Sequence, residues 1–125
     1  MIWILTQVAI GGAIGSALRF GAVSAIGAPV GVLPVGVLPV GVLIVNVVGS
    51  FAMGVAFVLL SARLSPLVMT GILGGFTTFS AFSLDALKLW ETGQVLMAAG
   101  YVAGSVILSL VAVALGAGLA RGVFG

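Results

Sequence analysis

Residues 74–82 read GGFTTFSAF and lie in the middle of the third of four long apolar stretches. The paired glycines at the start of this segment loosen a helix, and its three hydroxyl side chains are costly inside hydrocarbon. A helix that breaks within a bilayer exposes backbone N–H and C=O groups, which are tolerated only where protein or water surrounds them. We therefore predict a broken third helix that lines a polar site, rather than a plain lipid anchor.

The scarcity of charge indicates that lipid is the solvent of this protein. The 125-residue chain is 62% hydrophobic and 5% charged, whereas about 25% of residues are charged in ordinary soluble domains. About 20 apolar residues are enough to cross a bilayer. We predict an all-α membrane protein, a single transmembrane domain over residues 1–125, with four helices at about Trp3–Ala25, Gly41–Leu60, Pro66–Leu89 and Val95–Leu119.

The residue types that the chain lacks exclude several functions. The sequence contains no cysteine and no histidine, which excludes disulfides, thiolate metal sites and catalysis by Cys or His. No convincing nucleophile–base pair remains, so an enzyme is not predicted. The four basic residues are scattered and form no basic run, so nucleic acid is not a predicted partner.

The segment between the first two predicted helices is rich in proline and glycine. The unit Val-Gly-Val-Leu-Pro recurs, and Pro29, Pro34 and Pro39 are spaced five residues apart. Because such spacing is incompatible with a continuous helix, we predict a loop from Gly27 to Val40. A duplication that lengthened this loop is the simplest interpretation.

The positive charges are balanced between the two ends of the predicted bundle. Arg63 and Arg121 fall on one side, and Arg19 and Lys88 fall on the other. The excess of bases that normally fixes the orientation of a membrane protein is therefore missing. Either another signal decides the orientation, or the chain inserts both ways and pairs as an antiparallel dimer. We favour the dimer.

Polar side chains inside the other predicted helices each have two interpretations. Asn46 either makes a hydrogen bond between helices or is a donor that lines a pore. Tyr101, Ser105 and Ser109 are four residues apart and form one stripe, which either lines a hydrated track or consists of hydroxyls bonded to their own helix. Arg19 either extends to the lipid headgroups or attracts anions to a vestibule.

Two kinds of ion site are compatible with the third helix. Carbonyls freed near Gly74 to Thr78 can hold a cation. Phe76, Phe79 and Phe82 recur every three residues and alternate with hydroxyls. The edge of an aromatic ring is electropositive, so these rings suit a small anion, although helix packing alone also explains them.

Three blocks of the sequence resemble the Fluc (CrcB-like) fluoride channel family. They are GGAIGSALRF at residues 11–20, NVVGSF at residues 46–51 and GGFTTFSAFS at residues 74–83. The likeness covers nearly the whole chain, and the third block is highly specific. It implies a passive channel that exports fluoride from the cytoplasm across the inner (plasma) membrane, built as an antiparallel, dual-topology homodimer.

The resemblance also implies roles for individual residues. It assigns the fluoride pathway to one amide, two phenyl and four hydroxyl side chains: Asn46, Phe79, Phe82, Ser80, Ser83, Ser105 and Ser109. It implies that the carbonyls of Gly74 and Thr77 bind a structural sodium ion at the dimer interface, and that Arg19 lies near a vestibule. Val42 stands where the family commonly has Thr, and Asp85 stands where it often has Glu.

Two other classes of function stay open from the residues alone. A proton-coupled transporter would bind its proton at Asp85 or Glu91, the two acids of the chain. A structural membrane subunit would transport nothing. The neutral donors of the predicted helices favour the channel, because fluoride is a small, strongly hydrated ion and a strong hydrogen-bond acceptor.

Overall fold

The computed structural model describes residues 1–30 and 39–124, and most of these residues are helical. Helix α1 is Ile2–Val30 and helix α2 is Val40–Leu59. A π-helical segment, Pro66–Leu73, then leads into the short helix α3, Gly74–Phe76. Helix α4 is Phe79–Glu91, and helix α5 is Val95–Phe124.

Four spans within the described residues are long and apolar enough to cross a membrane. They are Ile2–Ile26, Val40–Leu59, Pro66–Glu91 and Val95–Val123. The predicted all-α membrane architecture with four spanning helices is therefore confirmed.

The boundary of the first helix differs from the prediction. Helix α1 continues past Ala25 and includes Gly27 and Pro29, and helix α2 begins at Val40. The prediction of a loop from Gly27 to Val40 is therefore wrong for residues 27–30 and for Val40. Pro29 lies in the last turn, where its fixed φ matches the helix and its missing N–H removes one hydrogen bond. The rest of the predicted loop up to residue 38, with most of the duplicated unit, lies outside the described residues.

A tight turn joins α4 to α5. Gly93 has φ of 82°, a left-handed conformation that glycine adopts without steric cost. The Gly93 N–H donates to the Trp90 carbonyl at 3.1 Å, and the Gln94 N–H donates to the Leu89 carbonyl at 2.9 Å. This pair of bonds is a Schellman motif, and it sends α5 back alongside α4.

Glycines allow the helix backbones to come close together. Gly54 of α2 faces the carbonyl of Val113, and Gly116 of α5 faces the carbonyl of Phe51. On the other side of the bundle, an added Cβ at Gly71 would lie 2.9 Å from the Cα of Gly11. In lipid, where apolar burial drives helices together only weakly, such close backbone packing stabilises a bundle.

The buried apolar cluster lies between α2, α4 and α5. Its buried members are Val42, Phe82, Leu89, Ala98 and Tyr101. Many large apolar side chains elsewhere are exposed, as a lipid-facing surface requires. This cluster holds Phe82 and Tyr101 in place next to the candidate site.

Candidate functional site

Two residues between α3 and α4 have extended backbones. Thr77 has φ of −84° and ψ of 159°, and Thr78 has φ of −150° and ψ of 124°. Helix α4 then starts with a side-chain cap, because the Thr78 Oγ1 accepts a hydrogen bond from the Ala81 N–H at 3.1 Å. The third span therefore has two extended residues between its helices, at the threonines of the GGFTTFSAF segment.

Asn46 of α2 binds the backbone of Thr78 through both ends of its amide. The Thr78 N–H donates to Asn46 Oδ1 at 2.7 Å, and Asn46 Nδ2 donates to the Thr78 carbonyl at 3.0 Å. Because a backbone N–H can only donate and a carbonyl can only accept, these two bonds fix the orientation of the amide. One of the two Nδ2 protons is not needed for this pairing.

The diverted N–H groups leave two carbonyls without their helical donors. In a continuous helix, each carbonyl accepts from the N–H four residues later. The Thr78 N–H donates to Asn46 instead, and the Ala81 N–H donates to Thr78 Oγ1. Among the described residues, no other backbone N–H outside the helices takes the place of these two donors. The carbonyls of Gly74 and Thr77 are therefore available to another group, as are those of Gly75 and Phe76 between them.

A cavity of about 380 Å³ opens beside the extended threonines. Its described lining comes from α2, α4, α5 and the threonines themselves. Five of the seven predicted pathway residues line this cavity, namely Asn46, Phe79, Phe82, Ser105 and Ser109. The structure thus brings together polar and aromatic side chains that lie as far apart as residues 46 and 109 in the sequence.

The two phenylalanines of the cavity differ in exposure. The Phe82 side chain is 8% exposed, whereas the Phe79 side chain is 78% exposed. Their rings meet edge to face, with centroids 5.4 Å apart and planes 64° apart. The Phe82 ring also packs on the Tyr101 ring, with centroids 5.3 Å apart. Phe82 is therefore held on two sides, while the outer side of Phe79 is open.

One hydroxyl on α5 is buried without a partner. The Ser105 Oγ has no hydrogen bond to any described residue, whereas the Tyr101 hydroxyl lies beside the Asp85 carboxyl group. A buried polar group without a partner costs about 1–3 kcal/mol. The Ser105 hydroxyl lies in the wall of the cavity and can donate there. The stripe on α5 therefore includes a donor that an anion can accept from.

Three predicted site residues, Ser80, Ser83 and Arg19, lie outside the described cavity lining. Ser80 is exposed, with its Oγ 3.3 Å from Thr78 Oγ1. Ser83 is exposed and donates to the Phe79 carbonyl at 2.9 Å. Arg19 is half-buried on α1. The structure does not bring these three side chains into contact with the cavity.

Sequence reasoning missed the central position of Thr78. Its peptide anchors Asn46, its hydroxyl caps α4, and its side chain lines the cavity. The preference of Thr for the N-cap position was the one local signal for this role. Ser50, one turn after Asn46 on α2, also lines the cavity.

Comparison with known proteins yields consistent matches. The family model described as "CrcB-like protein, Camphor Resistance (CrcB)" matches residues 6–117. A Paracoccus denitrificans protein named "Fluoride-specific ion channel FluC" is 51% identical, over 94% of each chain. Proteins with the same name from Cereibacter sphaeroides and Mesorhizobium japonicum are 51% and 43% identical, over 98% and about 95% of each chain.

Proposed function

Because the chain belongs to the CrcB-like protein family, we propose that it is a fluoride-selective channel through which fluoride leaves the cytoplasm passively. The chain is a multi-pass membrane protein, and we place it in the inner (plasma) membrane. The observation that carries the proposal is the convergence of Asn46, Phe79, Phe82 and Ser105 on one cavity. The names of the relatives support the choice of ion.

The chemistry of the cavity suits a small anion. A narrow path must replace the water around fluoride with other donors. Asn46 has a spare amide proton, Ser105 has an unpartnered hydroxyl, and the phenyl rings present electropositive edges. None of the described lining residues carries a charge, so an ion is not held by a fixed opposite charge. Chloride is larger and a poorer acceptor, and the same donors would coordinate it less well.

A second copy of the chain would complete the path. The cavity lies on the surface of a single chain, and Phe79 is 78% exposed beside it. The equal distribution of bases between the two ends of the bundle supports insertion in both orientations. We therefore propose an antiparallel, dual-topology homodimer in which the partner chain covers this face.

The free carbonyls of Gly74 and Thr77 fit a structural sodium ion. Unwound backbone carbonyls within a membrane span are suitable ligands for Na⁺. Gly74 is exposed and Thr77 is half-buried, so these oxygens can face a neighbouring chain. Two carbonyls from each copy would surround an ion on the symmetry axis and stabilise its charge with their dipoles. Such an ion would stabilise the dimer and take no part in transport.

Fluoride efflux from proteoliposomes tests this function. Vesicles loaded with potassium fluoride should release it when valinomycin is added, and vesicles loaded with potassium chloride should not. Equal efflux of both ions would overturn fluoride selectivity. Flux that requires a proton gradient would favour a coupled transporter, and a folded dimer that passes no fluoride would favour a structural subunit.

Conservative replacements of the rings test the pathway. Phe79→Ile and Phe82→Ile keep apolar volume but remove the electropositive ring edge, and we expect each to slow fluoride efflux about tenfold or more. Phe57→Ile is the matched control, because Phe57 is 64% exposed on α2 and lies outside the described cavity lining. Unchanged efflux in both cavity variants would remove these rings from the path.

Removal of sodium tests the cation site separately. Purified protein exchanged into N-methylglucamine chloride should lose its dimeric elution volume on size exclusion. Restoring NaCl should restore the dimer, and choline chloride should not. A dimer that survives without sodium would contradict the proposed structural ion and leave the anion path untouched.

A further inference from the structure

A second cavity, of about 490 Å³, lies away from the proposed fluoride path. It is formed by the first turns of α1 and by the connection between α2 and the π-helical segment. Trp3, Gln7 and Arg63 lie in its wall. Trp3 and Gln7 belong to the start of the first span, and Arg63 belongs to the connection between two spans, so the cavity faces the level of the lipid headgroups. The proposed function does not use it.

Gln7, in the wall of this cavity, has an unused hydrogen-bond acceptor. The Gln7 side chain is 6% exposed. Its Nε2 donates to the backbone carbonyl of Arg63 at 3.4 Å. Because that carbonyl can only accept, the Oε1 atom must point the other way. The Oε1 is buried and has no partner among the described residues, so a ligand with an N–H or O–H donor would satisfy it.

Arg63 gives the same cavity a positive charge. Arg63 is exposed, and none of the described lining residues is acidic. A guanidinium group binds phosphate through paired hydrogen bonds. Trp3 beside it is an aromatic residue of the kind that concentrates at membrane–water interfaces. The rim of the cavity is therefore suited to a phosphate at the membrane surface.

The deeper wall of the cavity is apolar. Ile10 of α1 and Leu67 of the π-helical segment lie one turn further into their spans than the polar rim. A water-soluble ligand gains nothing from such a wall, but an acyl chain does. The ligand must thus combine a donor, a phosphate and a hydrocarbon chain.

We propose that this cavity is a binding site for a phospholipid whose headgroup carries a protonated amine, such as phosphatidylethanolamine. Arg63 binds the lipid phosphate, and the ammonium N–H donates to Gln7 Oε1. An acyl chain lies over Ile10 and Leu67. The site selects an N–H donor over a quaternary ammonium group, because a quaternary nitrogen has no proton to give.

Native mass spectrometry of the wild-type protein in detergent tests the selection. The probes are phosphatidylethanolamine and its N-methyl, N,N-dimethyl and N,N,N-trimethyl derivatives, which have three, two, one and no N–H donors. We expect similar binding of the first three and at least about tenfold weaker binding of the fourth, equivalent to about 1.4 kcal/mol. An even decline with each methyl group would indicate headgroup size instead. Equal binding of all four, or no bound lipid because a second chain covers the cavity, would also overturn the proposal.

Variants assign the effect to the two polar groups. Gln7→Leu should abolish the preference for N–H-bearing headgroups, and Arg63→Ala should weaken the binding of all four lipids while leaving the preference unchanged. Arg121→Ala is the matched control. Arg121 is also a surface cation, lies over the Phe57 ring at 6.0 Å and is outside this cavity. A preference that persists in Gln7→Leu, or an equal loss of binding in Arg121→Ala, would refute the assignment.

Discussion

Replacing Asn46 with leucine should destabilise the fold more than any other single change in the cavity wall. The variant removes the acceptor of the Thr78 N–H and the donor to the Thr78 carbonyl, which lie at 2.7 Å and 3.0 Å. Thr78 is 7% exposed, so water does not replace these partners. Each buried group left without a partner costs about 1–3 kcal/mol, and the two together cost roughly 2–6 kcal/mol.

Two further variants separate the hydrogen bonds from the cavity wall. Ser50→Ala changes the same wall one turn away on α2 without removing a hydrogen bond to a described residue. We expect it to change the free energy of unfolding by less than about 0.5 kcal/mol. Asn46→Asp keeps an acceptor for the Thr78 N–H but turns a second oxygen towards the Thr78 carbonyl. The stability lost in Asn46→Asp should fall between the losses in Ser50→Ala and Asn46→Leu.

Unfolding by SDS titration in mixed micelles, followed by circular dichroism, measures these differences. The order of stability should be wild type and Ser50→Ala first, then Asn46→Asp, then Asn46→Leu. If Asn46→Leu unfolds at the same SDS fraction as the wild type, the Thr78 peptide does not depend on Asn46. The account of how the two threonines are held in an extended conformation would then be wrong.

Two other substitutions should differ in their effect on stability. Gly116→Ala should destabilise the bundle by about 1–3 kcal/mol through overpacking, because the new methyl group meets the carbonyl of Phe51. Gly118→Ala is the control, because its methyl group faces open space. Equal SDS midpoints for the two variants would contradict this packing. Ser105→Ala removes a buried hydroxyl that has no partner among the described residues, so it should leave unfolding unchanged or stabilise the fold by about 1 kcal/mol while fluoride efflux falls. Loss of stability together with flux would mean that Ser105 is a structural residue.

The four spans could be predicted because a bilayer imposes a length and a composition on each helix. Hydropathy alone located α2 and α5 to within a few residues, apart from the C-terminal extension of α5. The end of α1 was harder to place. Proline is a strong signal against a helix interior, but in the last turn it is compatible with helical φ, and the sequence does not reveal in which turn it falls.

The candidate site was only partly predictable, because its key contacts join distant segments. Asn46 and Thr78 are 32 residues apart, and no local pattern reports their pairing. Sequence reasoning treated a helix–helix hydrogen bond and a pore donor as alternatives for Asn46. The structure shows the hydrogen bond and also places Asn46 on the cavity wall. An amide has two donor protons and one acceptor oxygen, so one side chain can anchor a neighbour and still donate.

The same hydrogen bond links the proposed anion path to the proposed cation site. By accepting from the Thr78 N–H, Asn46 deprives the Gly74 carbonyl of its helical donor and leaves it open to a cation. It donates only one Nδ2 proton to the Thr78 carbonyl, so its other proton stays free on a side chain that lines the cavity. If the bond is lost, nothing holds the Thr78 N–H away from the Gly74 carbonyl, and recovery of that helical bond would consume the carbonyl while it offsets part of the loss in stability. Asn46→Leu should therefore reduce both fluoride efflux and the dependence of the dimer on sodium, whereas Ser105→Ala should reduce efflux alone. Retention of full sodium dependence in Asn46→Leu would mean that the two sites form independently.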